Sequence, residues 1–118
     1  MVLNKTDTLK DRMRQVLLEQ ARTENLLTYK NLADRLRLVP PQTIHRVAEA
    51  LEVLMAEDVA AGRPLLAALC VSRLQGELPA LGFFVTAQVL GIFKGDPEGA
   101  EAGAFHAREI ERVRAFYR

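Results

Sequence analysis

The sequence predicts a mainly α-helical domain with a small β-hairpin, in a winged-helix-like arrangement that carries an added C-terminal helix. Three observations lead to this prediction: apolar residues recur at helical spacing along most of the chain, Pro40 and Pro41 interrupt that spacing, and a short, unbroken apolar run follows Pro64. We interpret residues 1–118 as one such domain, because 118 residues are enough to bury a core.

The composition is typical of a globular protein, with 49% hydrophobic residues, 26% charged residues and a formal net charge of +1. No apolar run approaches the roughly 20 residues that span a bilayer, and the N-terminus lacks the apolar core of a signal peptide. A single cysteine excludes an intrachain disulfide. We therefore expect a cytoplasmic protein with no membrane partner.

Charge is distributed unevenly along the chain. Residues 1–50 hold nine Lys/Arg and six Asp/Glu, whereas residues 51–100 hold three Lys/Arg and six Asp/Glu. The small net charge argues against a strongly basic nucleic-acid-binding protein. The basic excess nevertheless coincides with a predicted helix-turn-helix. The alternative interpretation of the charge pattern is a solvated surface of mixed sign.

The first predicted helix begins near Thr6 or Thr8, where Thr8 and Asp11 resemble a capping box. Its apolar residues have the spacing of one helical face: Leu9, Met13, Val16, Leu17 and Ala21. Its basic residues are predicted to lie on the wetter faces: Lys10, Arg12, Arg14 and Arg22.

A helix-turn-helix is predicted over about 28–60, with Thr28 as the N-cap of its first helix. The buried face of that helix is predicted to be Tyr29, Leu32, Ala33 and Leu36. The helix must stop before Pro40, because the residue preceding a proline is displaced from helical angles. Pro41 is expected in the first turn of the third helix, where its missing amide costs nothing.

The third helix is predicted to run to about Ala60 and to stop at Gly62. Its inward stripe is predicted to be Ile44, Val47, Ala48, Leu51, Leu54 and Met55. Its opposite face holds Gln42, His45, Arg46, Glu49 and Glu52. In a helix-turn-helix the second helix is the one that enters a DNA groove or the cleft of a partner.

A strand and wing are predicted over about 65–79. The run from Leu65 to Val71 has the length of a buried strand, and Gln75-Gly76 offers turn chemistry for a return strand before Pro79. A hairpin at this place, after a helix-turn-helix, would be a wing.

Two more helices are predicted, over about 82–92 and 104–117, with a loop from Lys94 to Gly103 between them. The inward residues of the first are predicted to be Phe83, Phe84, Ala87, Val89 and Leu90. Those of the second are His106, Ile110, Val113 and Tyr117. Its outer face is predicted to carry mixed charge, from Arg108, Glu109, Glu111, Arg112 and Arg114.

Residue types that bind metals or perform catalysis are few and scattered. His45, Cys70 and His106 are isolated in sequence, whereas a metal site needs several ligands at matching spacing. Cys70 and His106 lie among apolar residues and are interpreted as packed, and His45 is expected to face outward. Glu57-Asp58 ends a helix without an evident apolar pocket. The sequence predicts no catalytic residue, no metal and no cofactor.

Two segments carry a resemblance to a known family. Thr28-Tyr29-Lys30-Asn31-Leu32-Ala33, followed by Val47-Ala48-Glu49-Ala50-Leu51, resembles the DNA-binding half of the alkylguanine-DNA alkyltransferase-like family. Pro64, the apolar run and Gly76 follow in a similar order, so that the resemblance covers about residues 27–84. It implies a winged-helix-like module that contacts DNA.

The resemblance does not extend to the reaction of that family. The reactive cysteine of the family follows its proline directly in Pro-Cys-His-Arg, whereas Leu65 follows Pro64 here and Cys70 comes five residues too late. The arginine that the family inserts into the base stack falls at His45, so alkyl transfer is not implied. Gly62 to Val71 and the later Gly-Phe-Phe also resemble small bacterial proteins to which no activity is assigned.

The leading interpretation is a non-enzymatic module that binds duplex DNA. Short polar and cationic side chains at the start of the third helix would lie in or near the major groove: Gln42, Thr43, His45 and Arg46. The phosphates would be contacted by Tyr29, Lys30 and Arg73. Since Glu49 and Glu52 would repel phosphate, binding is expected to be weak and to fall steeply with salt.

Two alternatives stay open at this point. A protein–protein interaction or homodimerisation module could use the same fold, and a nearly neutral surface suits it. A small enzyme or ligand binder using His45, Cys70 or His106 is the more remote alternative. A positive stripe along the third helix and the wing would favour DNA, and an exposed apolar patch would favour a protein partner.

Overall fold

The computed structural model describes residues 5–118, and their side chains from Leu9 onward apart from that of Gln75. The elements in chain order are α1 (Lys5–Ala21), β1 (Leu27–Thr28), α2 (Tyr29–Arg35), α3 (Thr43–Ala60), β2 (Cys70–Val71), α4 (Leu81–Val89) and α5 (Ala100–Phe116). Short 3₁₀ helices lie at Leu66–Leu69 and Arg73–Gln75. The described chain is therefore mainly helical, with a small two-stranded parallel sheet. No helix in residues 5–118 has the length and apolar character needed to cross a membrane.

The first helix starts earlier than the sequence predicts. α1 already includes Lys5, so Thr6 and Thr8 lie inside it, and the side chain of the predicted Thr8 cap is outside the described residues. Its apolar stripe is buried or partly buried as predicted: Leu9, Met13, Val16, Leu17 and Ala21. Through this stripe α1 packs against α3 and the Leu66–Leu69 segment.

The predicted exposure of the basic residues of α1 is wrong for Lys10 and Arg14. Both pair with Glu57 on α3, and Arg14 Nη1 also donates to Asp58 Oδ1 at 2.8 Å. Arg12 donates to the backbone carbonyl that follows α2. Spacing along one helix does not show which carboxylates a neighbouring helix brings opposite it, and this is why the sequence misplaces these cations.

The second helix begins as predicted. Thr28 has extended backbone angles, and its Oγ1 accepts a hydrogen bond from Asn31 N at 3.0 Å, which caps α2. Its inward face packs on the core as predicted, through Tyr29, Leu32, Ala33 and Leu36. α2 then ends at Arg35, which agrees with the prediction that the helix stops before Pro40.

The third helix begins later than the sequence predicts. Its first residue is Thr43 and its N-cap is Gln42, with a φ of +59° that no helix interior allows, so Pro41 is not in its first turn. The peptide bond between Pro40 and Pro41 is cis. α3 ends at Ala60 before Gly62, as predicted.

The predicted inward stripe of α3 is buried or partly buried except at its N-terminal end. Val47, Leu51, Leu54 and Met55 are buried as predicted, and Ala48 is partly buried. Ile44 was predicted to face inward but is 47% exposed. The reason is that the first turn of α3 extends past the core and lines a surface cleft instead.

The predicted strand from Leu65 to Val71 is wrong over most of its length. Leu66–Leu69 form a 3₁₀ helix, and β2 pairs in parallel with β1, with Leu27 opposite Cys70 and Thr28 opposite Val71. A continuous apolar run is compatible with any fully buried backbone, and this one is buried between α1, α3 and α5.

The predicted β-hairpin is likewise replaced by a shorter reversal. The chain turns back between Ser72 and Leu78, which form one antiparallel bridge, with Ser72 N donating to Leu78 O at 2.8 Å. Gly76 provides the left-handed turn residue that the sequence indicated, with a φ of +64°. We call the residues from Ser72 to Leu78 the bridge loop.

The last two helices pack around an aromatic cluster formed by Phe83, Phe84, Phe93 and Phe105. α4 ends at Val89, because Gly91 with a φ of +80° stops the helix there. The prediction that Val89 faces inward is wrong, since its side chain is 80% exposed. α5 starts at Ala100, four residues before its predicted start, so the loop after Lys94 is shorter than predicted. The residues from Ala100 to Ala104 are mostly alanine and glutamate, which extend a helix readily.

Two carboxylates that the sequence did not place in the core are buried there. Asp58 on α3 is fully buried and accepts from Leu66 N at 3.2 Å. Glu109 on α5 is 4% exposed and accepts from Leu65 N at 3.2 Å, so its predicted position on an outer charged face is wrong. The two carboxylates accept hydrogen bonds from the consecutive backbone amides of Leu65 and Leu66. These amides lie at the start of the 3₁₀ segment, so they have no hydrogen-bond partner within it.

Candidate nucleic-acid interface

A cleft of about 640 Å³ lies between the start of α2, the first turn of α3 and the chain that follows β2. Its lining includes Tyr29 and Lys30 from α2, Ile44 from α3, and Arg73 and Leu74 from the bridge loop. We call this the cationic cleft. The parallel pairing of Thr28 with Val71 creates it, because it sets the start of α2 directly beside the bridge loop.

The charged side chains of the cationic cleft are both positive. Lys30 and Arg73 are exposed, and the described residues that line the cleft include no carboxylate. Lys30 Nζ lies 3.5 Å from Asp34 Oδ2, one turn along α2 and outside the lining. Such a pair between exposed side chains contributes little to stability, so Lys30 can exchange it for another anion.

The hydroxyl of Tyr29 makes a structural contact. Its hydroxyl oxygen accepts a hydrogen bond from Ala80 N at 3.0 Å, which ties the start of α2 to the chain before α4. Burial, with a smaller effect from Cys70, raises the pKa of Tyr29 to about 12. The phenol therefore stays protonated near neutral pH, and its oxygen lies beside Ala80, which lines a different cavity from the cationic cleft.

The other predicted DNA-binding residues lie beside the cleft and do not line it. Gln42, His45 and Arg46 are exposed, and Thr43 is half-buried. His45 Nε2 lies 2.5 Å from Glu49 Oε1, and Arg46 Nη1 donates to the backbone of Val39 at 3.4 Å. The structure thus brings Tyr29, Lys30 and Arg73 together and leaves these four on the neighbouring first turns of α3.

The acidic residues of α3 lie on a different surface. Glu49 and Glu52 line a separate groove between α3 and α4, which also includes Arg46. The exposed side of α3 is therefore divided, with its N-terminal turn at the cationic cleft and its middle turns facing α4. Glu49 nevertheless contacts His45, so its carboxylate stays beside the first turns of α3 and the repulsion of phosphate that the sequence predicts still applies there.

Sequence reasoning did not single out the apolar part of the cleft. Leu74 is 94% exposed in the bridge loop, next to Arg73, and Ile44 is exposed opposite it. The sequence does contain a signal for it. Leu74 stands between Arg73 and the Gln75-Gly76 turn, and a residue at the start of such a turn is not expected to be buried. The cationic cleft thus offers apolar contacts between its two cations.

The residues of the enzyme alternative are not brought together. Cys70 is buried, which raises the pKa of its thiol well above the usual range. His106 Nε2 donates to Ala68 O at 2.8 Å, and burial lowers the pKa of its ring. Neither the cationic cleft nor three other cavities of the described chain are lined by His45, Cys70 or His106. The described residues also include no group of three side chains able to hold a metal ion.

Comparisons with protein-family models, with curated proteins and with solved structures found no match to this chain.

Proposed function

We propose that this protein is a non-enzymatic DNA-binding module that contacts duplex DNA through the cationic cleft and the first turns of α3. The observation that carries the proposal is the convergence of Tyr29, Lys30 and Arg73 on one cleft whose described lining contains no carboxylate. These groups come from two distant parts of the chain, and Lys30 and Arg73 can donate hydrogen bonds to phosphate oxygens.

In this proposal α2 and α3 act as the helix-turn-helix of a winged-helix-like module, with the bridge loop in the place of a wing. The same elements carry the resemblance to the alkylguanine-DNA alkyltransferase-like family. Tyr29, Lys30 and Arg73 would hold the phosphate backbone, and Gln42, Thr43, His45 and Arg46 would approach base edges. The Lys30–Asp34 pair and the His45–Glu49 contact are between exposed side chains, so phosphate can replace them at small cost.

The strength of binding follows from the number of available cations. Lys10 and Arg14 are engaged with carboxylates of α3 and do not contribute. Few cations therefore remain near the cleft, and we expect weak binding with little sequence preference. Non-specific complexes of this kind have dissociation constants of about 10⁻⁴–10⁻⁶ M at physiological salt.

The proposal is tested by fluorescence anisotropy with a labelled duplex of mixed sequence over a series of salt concentrations. The double variant Lys30→Gln/Arg73→Gln removes both cleft cations. Each phosphate contact contributes about −0.9 to the slope of log K against log salt, so the slope should become less negative by about 1.8.

The matched control is Lys94→Gln/Arg108→Gln, which removes the same charge from exposed residues that do not line the cleft. The control should bind like the parent protein, apart from a small long-range effect. Absence of any anisotropy change at about 50 mM salt and about 1 mM protein would reject DNA binding. An equal loss in both double variants would reject the cationic cleft as its site.

A further inference from the structure

A second and larger cleft, of about 950 Å³, runs between α3 and α4. On α3 it extends from Arg46 to Ala56, ten residues apart, which is about 15 Å of helix. Its other lining residues are Val85, Thr86 and Val89 of α4, Leu90 just after it, and Leu9 of α1. We call it the α3–α4 groove. Its length matches nearly three turns of a helix laid along it.

The α4 wall of this groove is mostly apolar, and two of its residues are exposed. The sequence of α4, Leu81–Val89, contains no charged residue. One face is buried through Phe83, Phe84 and Ala87, while Val85 and Val89 remain exposed on the other. Val53 on α3 is also exposed toward the same groove. Because α4 has no charged residue and leaves Val85 and Val89 exposed, this side of the helix can accept an apolar contact.

The α3 wall adds a charge pattern. Glu49 and Glu52 stand along it one turn apart, with Arg46 at one end. Glu49 pairs with His45, and Glu52 has no ion-pair partner among residues 9–118 whose side chains are described. The middle of the groove therefore combines an apolar floor with an acidic flank.

We infer that the α3–α4 groove docks an amphipathic α-helix of a partner protein, one with an apolar ridge and a flanking lysine or arginine. The ridge covers Val53, Val85 and Val89, and the basic residue lies against Glu52. This is the helix-in-groove mode of recognition, in which side chains at i, i+3, i+4 and i+7 enter the groove.

The charge pattern favours such a partner over a second copy of this chain. A two-fold contact through the groove would bring Glu49, Glu52 and Arg46 of both copies into one interface, with four negative charges against two positive, which is less favourable than a basic partner. The α3–α4 groove includes Arg46 of the proposed DNA contact but none of the residues that line the cationic cleft, so either proposal can fail without the other.

The test uses the whole chain and two fluorescein-labelled synthetic helical peptides, followed by anisotropy. Both peptides carry the same leucine ridge, and one has lysines and the other glutamates along the flank. We expect the lysine-flanked peptide to bind at least about ten-fold more tightly, because like charges across an interface are unfavourable. Glu52→Lys should narrow or reverse this preference.

Val89→Glu places a charge in the apolar groove at a residue exposed enough to leave the fold intact, and it should weaken binding about ten-fold or more. The matched control is Val39→Glu, since Val39 is 71% exposed and does not line the groove. It should leave binding unchanged. Circular dichroism checks that both variants are folded.

Three results would overturn the inference. The first is that neither peptide binds. The second is that both peptides bind equally and Val89→Glu changes nothing. The third is that sedimentation shows the parent chain to be a dimer that Val89→Glu dissociates, which would make a second copy the occupant.

Discussion

The carboxylate of Asp58 accepts three hydrogen bonds in the interior of the protein. This carboxylate is fully buried and accepts from Arg14 Nη1 at 2.8 Å, Arg63 Nε at 3.0 Å and Leu66 N at 3.2 Å. A buried carboxylate is tolerated only where such partners replace its water. Asp58 therefore connects α1, the end of α3 and the 3₁₀ segment through a single side chain.

Replacing this carboxylate without changing its shape should be costly. In Asp58→Asn, Arg14 and Arg63 lose their anionic partner, and we expect the free energy of unfolding to fall by about 3 kcal/mol. Urea denaturation followed by circular dichroism measures the change. Asp34→Asn is the control, because Asp34 is in an exposed pair with Lys30 that is worth about 0.5 kcal/mol or less. Similar losses in the two variants would contradict the role given to Asp58.

His106 should make stability depend on pH. Burial lowers its pKa from 6.5 in the folded chain, although the hydrogen bond to Ala68 O acts in the opposite direction. As the pH falls below 6.5, the unfolded chain takes up this proton before the folded chain does, so stability decreases. The decrease from this group should end once the pH has passed the folded-state pKa. Denaturation midpoints between pH 7 and pH 5 measure it.

The variant His106→Gln isolates this contribution, since a glutamine amide can donate to Ala68 O but does not titrate. The stability of the variant should vary less between pH 7 and pH 5 than that of the parent chain. An unchanged pH dependence in His106→Gln would show that other groups cause it.

At the scale of elements, three successive helices end in the same left-handed cap. After α2 the cap residue is Arg37 with a φ of +56°, after α3 it is Gly62 with a φ of +71°, and after α4 it is Gly91 with a φ of +80°. In each, the amide of the following residue donates back to the last turn, as Leu38 N does to Ala33 O at 3.1 Å. Only the cap of α2 uses a residue with a Cβ.

Arg37→Gly should therefore stabilise the protein. A non-glycine residue in the left-handed region costs about 1 kcal/mol, and glycine removes that cost. We expect a higher midpoint in urea by an amount equivalent to roughly 0.5–1 kcal/mol. Gly91→Ala is the reciprocal control and should lower the midpoint, because it places a residue with a Cβ at a φ of +80°. The added Cβ would meet nothing within 4 Å, so the backbone angle alone causes the loss. No gain in Arg37→Gly would indicate that its side chain makes a compensating contribution.

The helices were the part of the fold that the sequence could predict. Their apolar spacing, the Thr28 cap and Gly62 are local signals, and each of them marks an element that forms. The run from Leu65 to Val71 could not be assigned in this way, because a segment that is apolar on every side has no period to distinguish a strand from a 3₁₀ helix. Glu109 was misplaced for a related reason, since its partner is a distant backbone amide.

Three of the residues singled out from the sequence line the cationic cleft, but their proximity could not be predicted. Tyr29 and Lys30 follow from the helix-turn-helix pattern, and Arg73 follows from the turn after the apolar run. Their meeting depends on the parallel pairing of β1 with β2, which is two residues long on each strand. Pairing this short leaves no recognisable alternation in a sequence.

At the scale of the whole molecule, folding brings the two uneven halves of the charge distribution together. The basic excess of residues 1–50 meets the acidic excess of residues 51–100 where Lys10 and Arg14 contact Glu57 and Asp58. The hydrogen bond from Lys10, followed by that from Arg14, lowers the pKa of Glu57. A charge count along the chain therefore overstates the positive charge that is free to meet a polyanion.

The core also unites the elements, so we expect the described chain to unfold in one transition. One hydrophobic cluster includes residues of every helix from α1 to α5, and Val113 on α5 is as fully buried in it as Leu32 on α2. The chain has two tyrosines and no tryptophan, so Tyr29→Phe leaves Tyr117 as the reporter near the end of α5, and Tyr117→Phe leaves Tyr29 as the reporter at α2. In each variant the urea midpoint from tyrosine fluorescence should equal that from circular dichroism, because a shared core melts cooperatively. Comparing two probes within one variant cancels the cost of the substitution itself. A Tyr117 transition at lower urea than the circular dichroism transition would show that α5 separates first, and would contradict a single cooperative core.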